Sequence, residues 1–424
     1  MILFISCLLV FFDGIEVVIL GVVSTPIIEE WSLSPIQYGA LTSYTAFGMI
    51  LGGLVCGPLA DKAGRVKIIL FSTFLYSFFT LMGAFSQGIV DFGIYRFLAG
   101  VGMGGIIPTI LGLITDLSPK KNRALIVSTV TTCMGLGGVF AAMLAIFVLP
   151  SFGWRAMFVV GAFPLLCIPF IYKYMPDSPL SYLRKGKNDQ LAKLLNRLSY
   201  SETFTSDQKF EMKIVTHAKV PFTALLQSNM ALGTAFIWLT FFFSYLVSFG
   251  LTAWLPNLMV QSGYPLGSSL MFMTVNLLGA TISTLVGGKI ADKIGMNKII
   301  VVFFMLGGIS LMVLGIKFSS VFLLYIFVFM AGWGTVGTQN LLLAFCSQFY
   351  PTEIRATGNA TAAIMGRVGS FVGPLFGGAL VASNVPTAMC FMAFGAVAFT
   401  AAISFFFVSI KKNKTVATSV GQVN

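Results

Sequence analysis

The chain reads as an all-α membrane protein of twelve transmembrane helices in two pseudo-symmetric six-helix bundles, and three observations predict it. With 57% of its residues hydrophobic, 9% charged and a mean hydropathy of +0.92, it has too little polar surface to clothe a soluble globule of 424 residues. Apolar runs of about 20 residues, the length that crosses roughly 30 Å of hydrocarbon, recur along the whole chain. A charged turn between two such runs, Gly57-Pro58-Leu59-Ala60-Asp61-Lys62-Ala63-Gly64-Arg65-Val66-Lys67, returns as Gly287-Gly288-Lys289-Ile290-Ala291-Asp292-Lys293-Ile294-Gly295, with the two aspartates 231 residues apart (61 to 292).

In chain order, the first half places helices near 3–26, 37–58, 67–86, 91–115, 123–149 and 155–175. The first run carries acids that a cleavable signal core would avoid, so it is read as the first span. Its abrupt start suggests that a short cytoplasmic leader is missing or never existed. The second half places helices near 229–260, 268–290, 298–317, 320–347, 359–382 and 386–410. The expected domains are an N-terminal bundle over 1–175, a central loop over 176–227, a C-terminal bundle over 228–410 and a basic tail over 411–424. Within the loop, Leu191, Leu194, Leu195 and Leu198 alternate with polar residues at a helical period, predicting an amphipathic strut under the bundle.

The basic residues set the orientation. Twenty-two of the 26 Lys and Arg fall on one set of loops, Arg155 and Lys317 on the other, and Arg96 and Arg367 within spans. The first set therefore faces the cytoplasm, together with both termini and the central loop. The same distribution accounts for the net charge of +12 without nucleic acid, because the basic residues sit in short turns and form no stripe with interleaved aromatics. All six cysteines lie inside predicted spans with no paired spacing, and His217 is the only histidine. A metal site or a histidine-based catalytic triad has almost nothing to use, which argues against an enzyme; no cofactor and no metal are expected. The glycine run from Gly100 to Gly105 follows no strand, so it reads as a surface for close helix approach and not as a nucleotide loop.

Charges inside the spans carry the functional reading, since each costs at least about 2.5 to 3.5 kcal/mol on insertion. Asp13 and Glu16 are three residues apart, on one face of the first helix and about 4.5 Å apart along its axis. Two acids so placed in a dry site do not both ionise readily, which makes them proton-carrier candidates. Glu16 and Arg96 both fall in the outer half of their helices, where an ion pair between them is expected. Arg367 falls near the midplane, and its guanidinium suits a carboxylate, which it can bind through two parallel hydrogen bonds. Asp116, near the cytoplasmic end of the fourth helix, suits gating. Each of these has a purely structural alternative. Asn276, Gln339 and Asn340 either hydrogen-bond a substrate or join helices. Trp238 and its neighbours Phe241, Phe242, Phe243 and Tyr245, with Trp333, either stack on a ring or pack.

The turn from Gly57 to Lys67 resembles the signature loop of the major facilitator superfamily. Over nearly the whole chain the resemblance narrows to its aromatic acid:proton symporter branch. Asp13-Gly14-Ile15-Glu16 looks like that branch's first-helix motif of two acids flanking glycine, with Glu16 in place of the usual second aspartate. Arg96 with its glycine run, Pro108, Asp116 ahead of Ser118-Pro119, Pro176-Asp177-Ser178-Pro179 and Tyr350-Pro351-Thr352-Glu353-Ile354-Arg355-Ala356-Thr357-Gly358 are further matches. Thr109 stands where the branch often has asparagine. The resemblance implies a major facilitator fold in which Asp61 and Arg65 latch the cytoplasmic ends, with Asp292, Glu353 and Arg355 serving the second half. It implies proton-coupled uptake of a small aromatic or related organic acid by alternating access, by a monomer in the plasma membrane. The expected partners are the acid, protons and the lipid bilayer. A sugar or polyol porter, a nicotinate-like vitamin porter, a drug exporter and a transporter-like sensor remain as alternatives.

Overall fold

The computed structural model describes residues 1–119, 121–198, 204–205, 208, 210, 225, 230–316, 320–351 and 353–420. Lys120, Lys209, Lys213, His217, Lys219 and Lys317 lie outside the described residues, as do the side chains of the tail lysines. The described residues form helices joined by short turns, with no strand among them. Eleven helical stretches are long and apolar enough to cross a membrane, and one of them, Leu125–Tyr174, is 50 residues long and holds two crossings. Its division falls at Gly153, where φ is 72° and ψ 175°. Twelve crossings follow, as the apolar runs predict. Many large apolar side chains point outward, among them Phe147 at 71% and Phe322 at 72% exposure, the pattern of a surface clothed by lipid tails.

The helices are α1 (Ile2–Val22), α2 (Ser24–Glu30), α3 (Pro35–Ala63), α4 (Arg65–Ala84), α5 (Ile89–Leu117), α6 (Arg123–Gly161), α7 (Ile168–Tyr174), α8 (Pro179–Arg184) and α9 (Asn188–Leu198) in the first half. The second half holds α10 (Ala231–Gln261), α11 (Leu266–Ile294), α12 (Met296–Leu314), α13 (Val321–Gly334), α14 (Thr338–Phe349), α15 (Arg355–Ala382) and α16 (Thr387–Val420). Several run past the apolar stretches that predict them. The signature turn is itself mostly helix: α3 continues to Ala63 and α4 begins at Arg65, so one residue, Gly64, makes the corner. Hydropathy detects only the part of a helix in hydrocarbon, and charged residues extend it beyond that edge at no cost.

Three expected spans are interrupted. The first breaks at Val23, because Pro26 cannot donate to the carbonyl one turn back. The sixth contains a 3-10 turn over Phe163–Cys167, with Pro164 inside it and Pro169 just after it. The tenth divides into α13 and α14 around Thr335–Gly337, in a segment where Gly332, Gly334 and Gly337 each lie directly on a neighbouring chain segment. The strut appears as α9, with Leu191 and Leu194 buried.

The internal repeat is visible in backbone geometry. Gly64 and Gly295, also 231 residues apart, have φ of 106° and 97°, a left-handed conformation that side chains disfavour. Helix crossings repeat as well. A side chain at Gly137 would meet the carbonyl of Phe11, joining α6 to α1, and one at Gly369 would meet the carbonyl of Phe242, joining α15 to α10.

Packing divides the chain into two compact units. One comprises Met1–Gly14, Phe47–Gly137 and Phe158–Thr216, the other Ile15–Ala46, Gly138–Met157 and His217–Asn424. In the first, α4 packs against α5, the 3-10 turn and α7. In the second, α10 packs against α15 and α16, α11 against α13, and α12 against α13 and α16. Its core gathers Ile237, Phe241, Phe304, Leu342, Phe345 and Phe405, all fully buried.

Candidate functional site

The first unit holds the buried charges Asp13 and Arg96, both with no exposed surface. Asp13 sits on α1 beside the crossing with α6, where a side chain at Gly14 would meet the carbonyl of Met134. The guanidinium carbon of Arg96 lies 5.6 Å from the ring centre of Phe158, which shields the charge from solvent and offers its π face. Phe158 in turn meets Phe92 edge-on at 5.4 Å. Glu16, three residues after Asp13 on the same helix, is 1% exposed and belongs to the second unit.

Charges around the turn between α3 and α4 in this unit form a connected set. Arg65 reaches Asp116 at 3.2 Å, over Gly112, where any side chain would collide with the guanidinium. The Asp61 carbonyl accepts a hydrogen bond from Arg184 at 2.9 Å. Asp177 accepts the N–H groups of Arg65 at 2.9 Å and Val66 at 3.5 Å, placing a carboxylate on the positive end of α4. The same carboxylate receives the Ser181 hydroxyl at 2.7 Å and Lys185 at 3.5 Å. The motif from Pro176 to Pro179 therefore does more than end the sixth span: it holds the corner at Gly64. The identity of Asp177 as a cap depends on a contact across 112 residues, which no local pattern reports.

In the second unit Arg367 lies on α15, which starts at Arg355, earlier than its apolar run. The residue is therefore about 18 Å along the helix by rise per residue, close to its middle. Tyr245 of α10 is in electrostatic range of it, and a side chain at Gly366 would meet the same phenol ring. Trp238 donates its indole N–H to Thr361 at 3.2 Å, and Trp333 meets Phe303 at 5.6 Å. Gln339 stands in the first turn of α14 and donates to the Ser248 hydroxyl at 2.9 Å. Asn276 donates to the Val328 carbonyl at 3.1 Å between α11 and α13, the helix-joining alternative. Asn340 is exposed and bonds Thr284 at 3.1 Å. Of the expected second-half latch, Asp292 and Glu353 are exposed, and Arg355 donates to the Tyr350 carbonyl at 3.4 Å.

Two further features of the second unit escape sequence reasoning. Glu30 receives Trp154 at 2.5 Å and Arg155 at 2.7 Å, while the Arg155 guanidinium lies 4.3 Å over the Trp154 ring. Partial burial pushes the Glu30 carboxyl upward, but the bonds from Trp154 and Arg155 and the Arg155 charge outweigh it and hold the group below its ordinary value. Tyr38 of α3 meets Trp254 of α10 edge-on at 5.2 Å, and Trp254 donates to the Pro374 carbonyl at 2.9 Å. Among the described residues no group of His, Cys, Asp and Glu could hold a metal ion.

Twelve crossings built as a repeat, with ionisable groups held inside the spans and a glycine-cornered charged turn in each half, define a polytopic membrane protein of the secondary-transporter class. The chain belongs to the Major Facilitator Superfamily, whose model matches residues 5–311 and 270–422. It is 32% identical to the benzoate transport protein of Acinetobacter baylyi, covering 97% of this chain and 90% of that one. It is 29% identical to the gallate transporter of Pseudomonas putida, covering 95% and 90%. Among solved structures it is similar to a bacterial homologue of the human lysosomal transporter Spinster, with a TM-score of 0.76 and 18% identity over 97% of each chain. The superfamily expected from the turn at Gly57–Lys67 is the one that matches, and the named relatives carry the aromatic acids that the finer resemblance implies.

Proposed function

We propose that this protein imports a small aromatic acid together with protons across the plasma membrane, with both termini in the cytoplasm. The observation that carries the reading is Arg367 at mid-span beside the phenol of Tyr245. A fixed guanidinium takes a carboxylate through two parallel bonds, a phenol adds a third donor, and surrounding aromatics match a ring. Two features support it. The relatives at 32% and 29% identity are named for benzoate and gallate. The broken tenth span sets the N-terminus of α14, with Gln339 in its first turn, inside the membrane segment, and a half-helix end of that sign favours an anion.

Asp13 and Glu16 carry the proton and Arg96 supplies the balancing charge. Two six-span halves, 1–175 and 228–410, alternate access to the acid, with the first-half set Asp61, Arg65 and Asp116 and the second-half set Asp292, Glu353 and Arg355 as gates. Trp238, Trp333, Asn276, Gln339 and Asn340 complete the substrate-binding set, Asn276 by shaping its wall. One chain carries all these parts, so a monomer suffices.

The test is equilibrium binding of benzoate to the purified protein and to Arg367→Lys and Arg367→Ala. A charge-assisted hydrogen bond of about 1.5–3 kcal/mol predicts a loss of about 10- to 150-fold on removal of the guanidinium. Unchanged affinity in both variants removes Arg367 from the site.

A further inference from the structure

Many buried hydroxyls in the spans of this protein bond to their own helix. Thr109 donates to the carbonyl of Gly105 at 2.6 Å, Thr240 to Phe236 at 2.7 Å, Thr274 to Leu270 at 3.0 Å, Thr281 to Leu277 at 2.8 Å and Ser310 to Leu306 at 2.7 Å. Each satisfies its polar atom on the preceding turn of its own helix. Ser6, Ser24, Thr25, Ser244 and Ser283 have no such partner among the described residues, and helix α4 gathers three more. Thr73, Ser77 and Thr80 are all 0% exposed, and the side-chain oxygen of none has a hydrogen-bond partner among the described residues. They stand at i, i+4 and i+7, so they share one face of the helix.

A hydroxyl buried without a partner forfeits its whole solvation, and the carbonyl one turn back is always within reach of a serine or threonine. Three in a row that decline that bond are placed for another partner of small size that offers donors and acceptors. Water fits, since a buried water makes about three hydrogen bonds to groups of this kind. The spacing fits as well. Neighbours on the file are separated by about 4.5 and 6 Å along the axis, gaps that one water bridges at ordinary hydrogen-bond lengths.

The file also has a destination. As first and third spans, α1 and α4 run in the same sense. Asp13 lies about 16 Å from the start of α1, and Ser77 about 18 Å from the start of α4. The 3-10 turn of the sixth span joins the two: Phe163 stacks on Phe12, the neighbour of Asp13, at 5.2 Å, while the turn packs against α4. Titratable or charged groups on α4 and on the elements packed against it include Tyr76 on α4, Tyr95 and Arg96 on α5, Cys167 on the turn and Lys173 on α7.

We propose that Thr73, Ser77 and Thr80 hold a file of ordered water inside the first unit, and that this file carries the proton between the cytoplasmic side and Asp13. Each water accepts a proton from one neighbour and passes another on, so no bond beyond O–H is made or broken. The second clause rests on Asp13 as the proton carrier; the water file itself does not.

Two measurements test it. Hydroxyl-radical labelling by brief irradiation in ¹⁸O-water marks side chains that touch bound water. Tyr76, although 0% exposed, is expected to gain label in the native protein and to lose it in the near-isosteric triple variant Thr73→Val, Ser77→Ala, Thr80→Val. Absence of label at Tyr76 in the native protein overturns the file, and this arm needs no variant to fold. In vesicles, benzoate accumulation driven by a proton gradient is expected to fall at least about tenfold in the triple variant, the scale of one lost hydrogen bond in the path. Benzoate exchange between loaded faces, which needs no net proton movement, is expected to stay within about twofold. Equal loss of both modes, or of neither, overturns the transport role. If Asp13→Asn retains gradient-driven accumulation, the carrier assignment has failed, while the labelling result still decides the file.

Discussion

Substituting alanine at Gly64 is expected to destabilise the protein by about 2.5–6 kcal/mol, and the internal repeat supplies its own control. Gly64 sits at φ 106° and ψ 143°, a region essentially reserved for glycine, where a side chain costs about 1–3 kcal/mol. A Cβ there also collides with the Asp177 carboxylate, which caps Arg65 and Val66. Displacing that charge-assisted contact costs about another 1.5–3 kcal/mol. Gly295 shares the backbone conformation, with φ 97° and ψ 131°, but no atom lies within 4 Å of its would-be Cβ. Gly295→Ala therefore carries the strain alone, and the two variants should differ by about 1.5–3 kcal/mol. Reversible unfolding in mixed detergent, followed by tryptophan emission, measures the difference. In an Asp177→Ala background it should shrink to within about 0.5 kcal/mol, because the contact is already gone. Equal losses at the two glycines, or a gap that survives removal of Asp177, refute the reasoning that this cap holds the corner.

Further predictions follow from the same contacts. Tyr245→Phe should weaken benzoate binding by about 2- to 12-fold, the range for one neutral hydrogen bond, and less than loss of Arg367, as titration calorimetry would read. The Glu30 clamp should depend on pH in a definite direction. Its carboxyl is held low in the folded state, so its stabilisation is present above the ordinary value of 4.5 and lost as pH falls through the depressed one. Side chains 40% exposed contribute about 0.2–1 kcal/mol, less in salt. Thermal midpoints of native protein and Glu30→Gln should therefore differ at neutral pH and converge in acid. Asp13→Asn should abolish accumulation against a gradient while leaving exchange of the acid in place, which counterflow in loaded vesicles reports.

The fold was legible to the extent that it follows from hydropathy and spacing. Twelve apolar runs and a repeated turn suffice for six plus six crossings, because a bilayer allows little else for such runs. Interruptions inside spans were not, although their causes are local. Pro164 with Pro169 lies in an unbroken apolar run, and the glycines around Thr335 are as hydrophobic as a span requires. The buried acids and arginines were legible for the opposite reason: a charge in an apolar run stands out and is costly. Tyr245 did not stand out among Trp238, Phe241, Phe242 and Phe243, since its distinction is the nearness of Arg367 from another helix. Asp177 and the Thr73–Ser77–Thr80 file share that limit. A cap and a hydroxyl with no partner are facts about three-dimensional neighbours, and many identical residues at other positions bond to their own helix.

The most direct test of the account is uptake of labelled aromatic acids, including hydroxybenzoates, gentisate and nicotinate, into proteoliposomes with an inward proton gradient and with that gradient collapsed. The account predicts accumulation of at least one acid above equilibrium with the gradient, and only equilibration without it. Absence of uptake across the panel by folded protein, or accumulation indifferent to the gradient, would contradict proton-coupled import of an aromatic acid and leave Arg367 a structural residue.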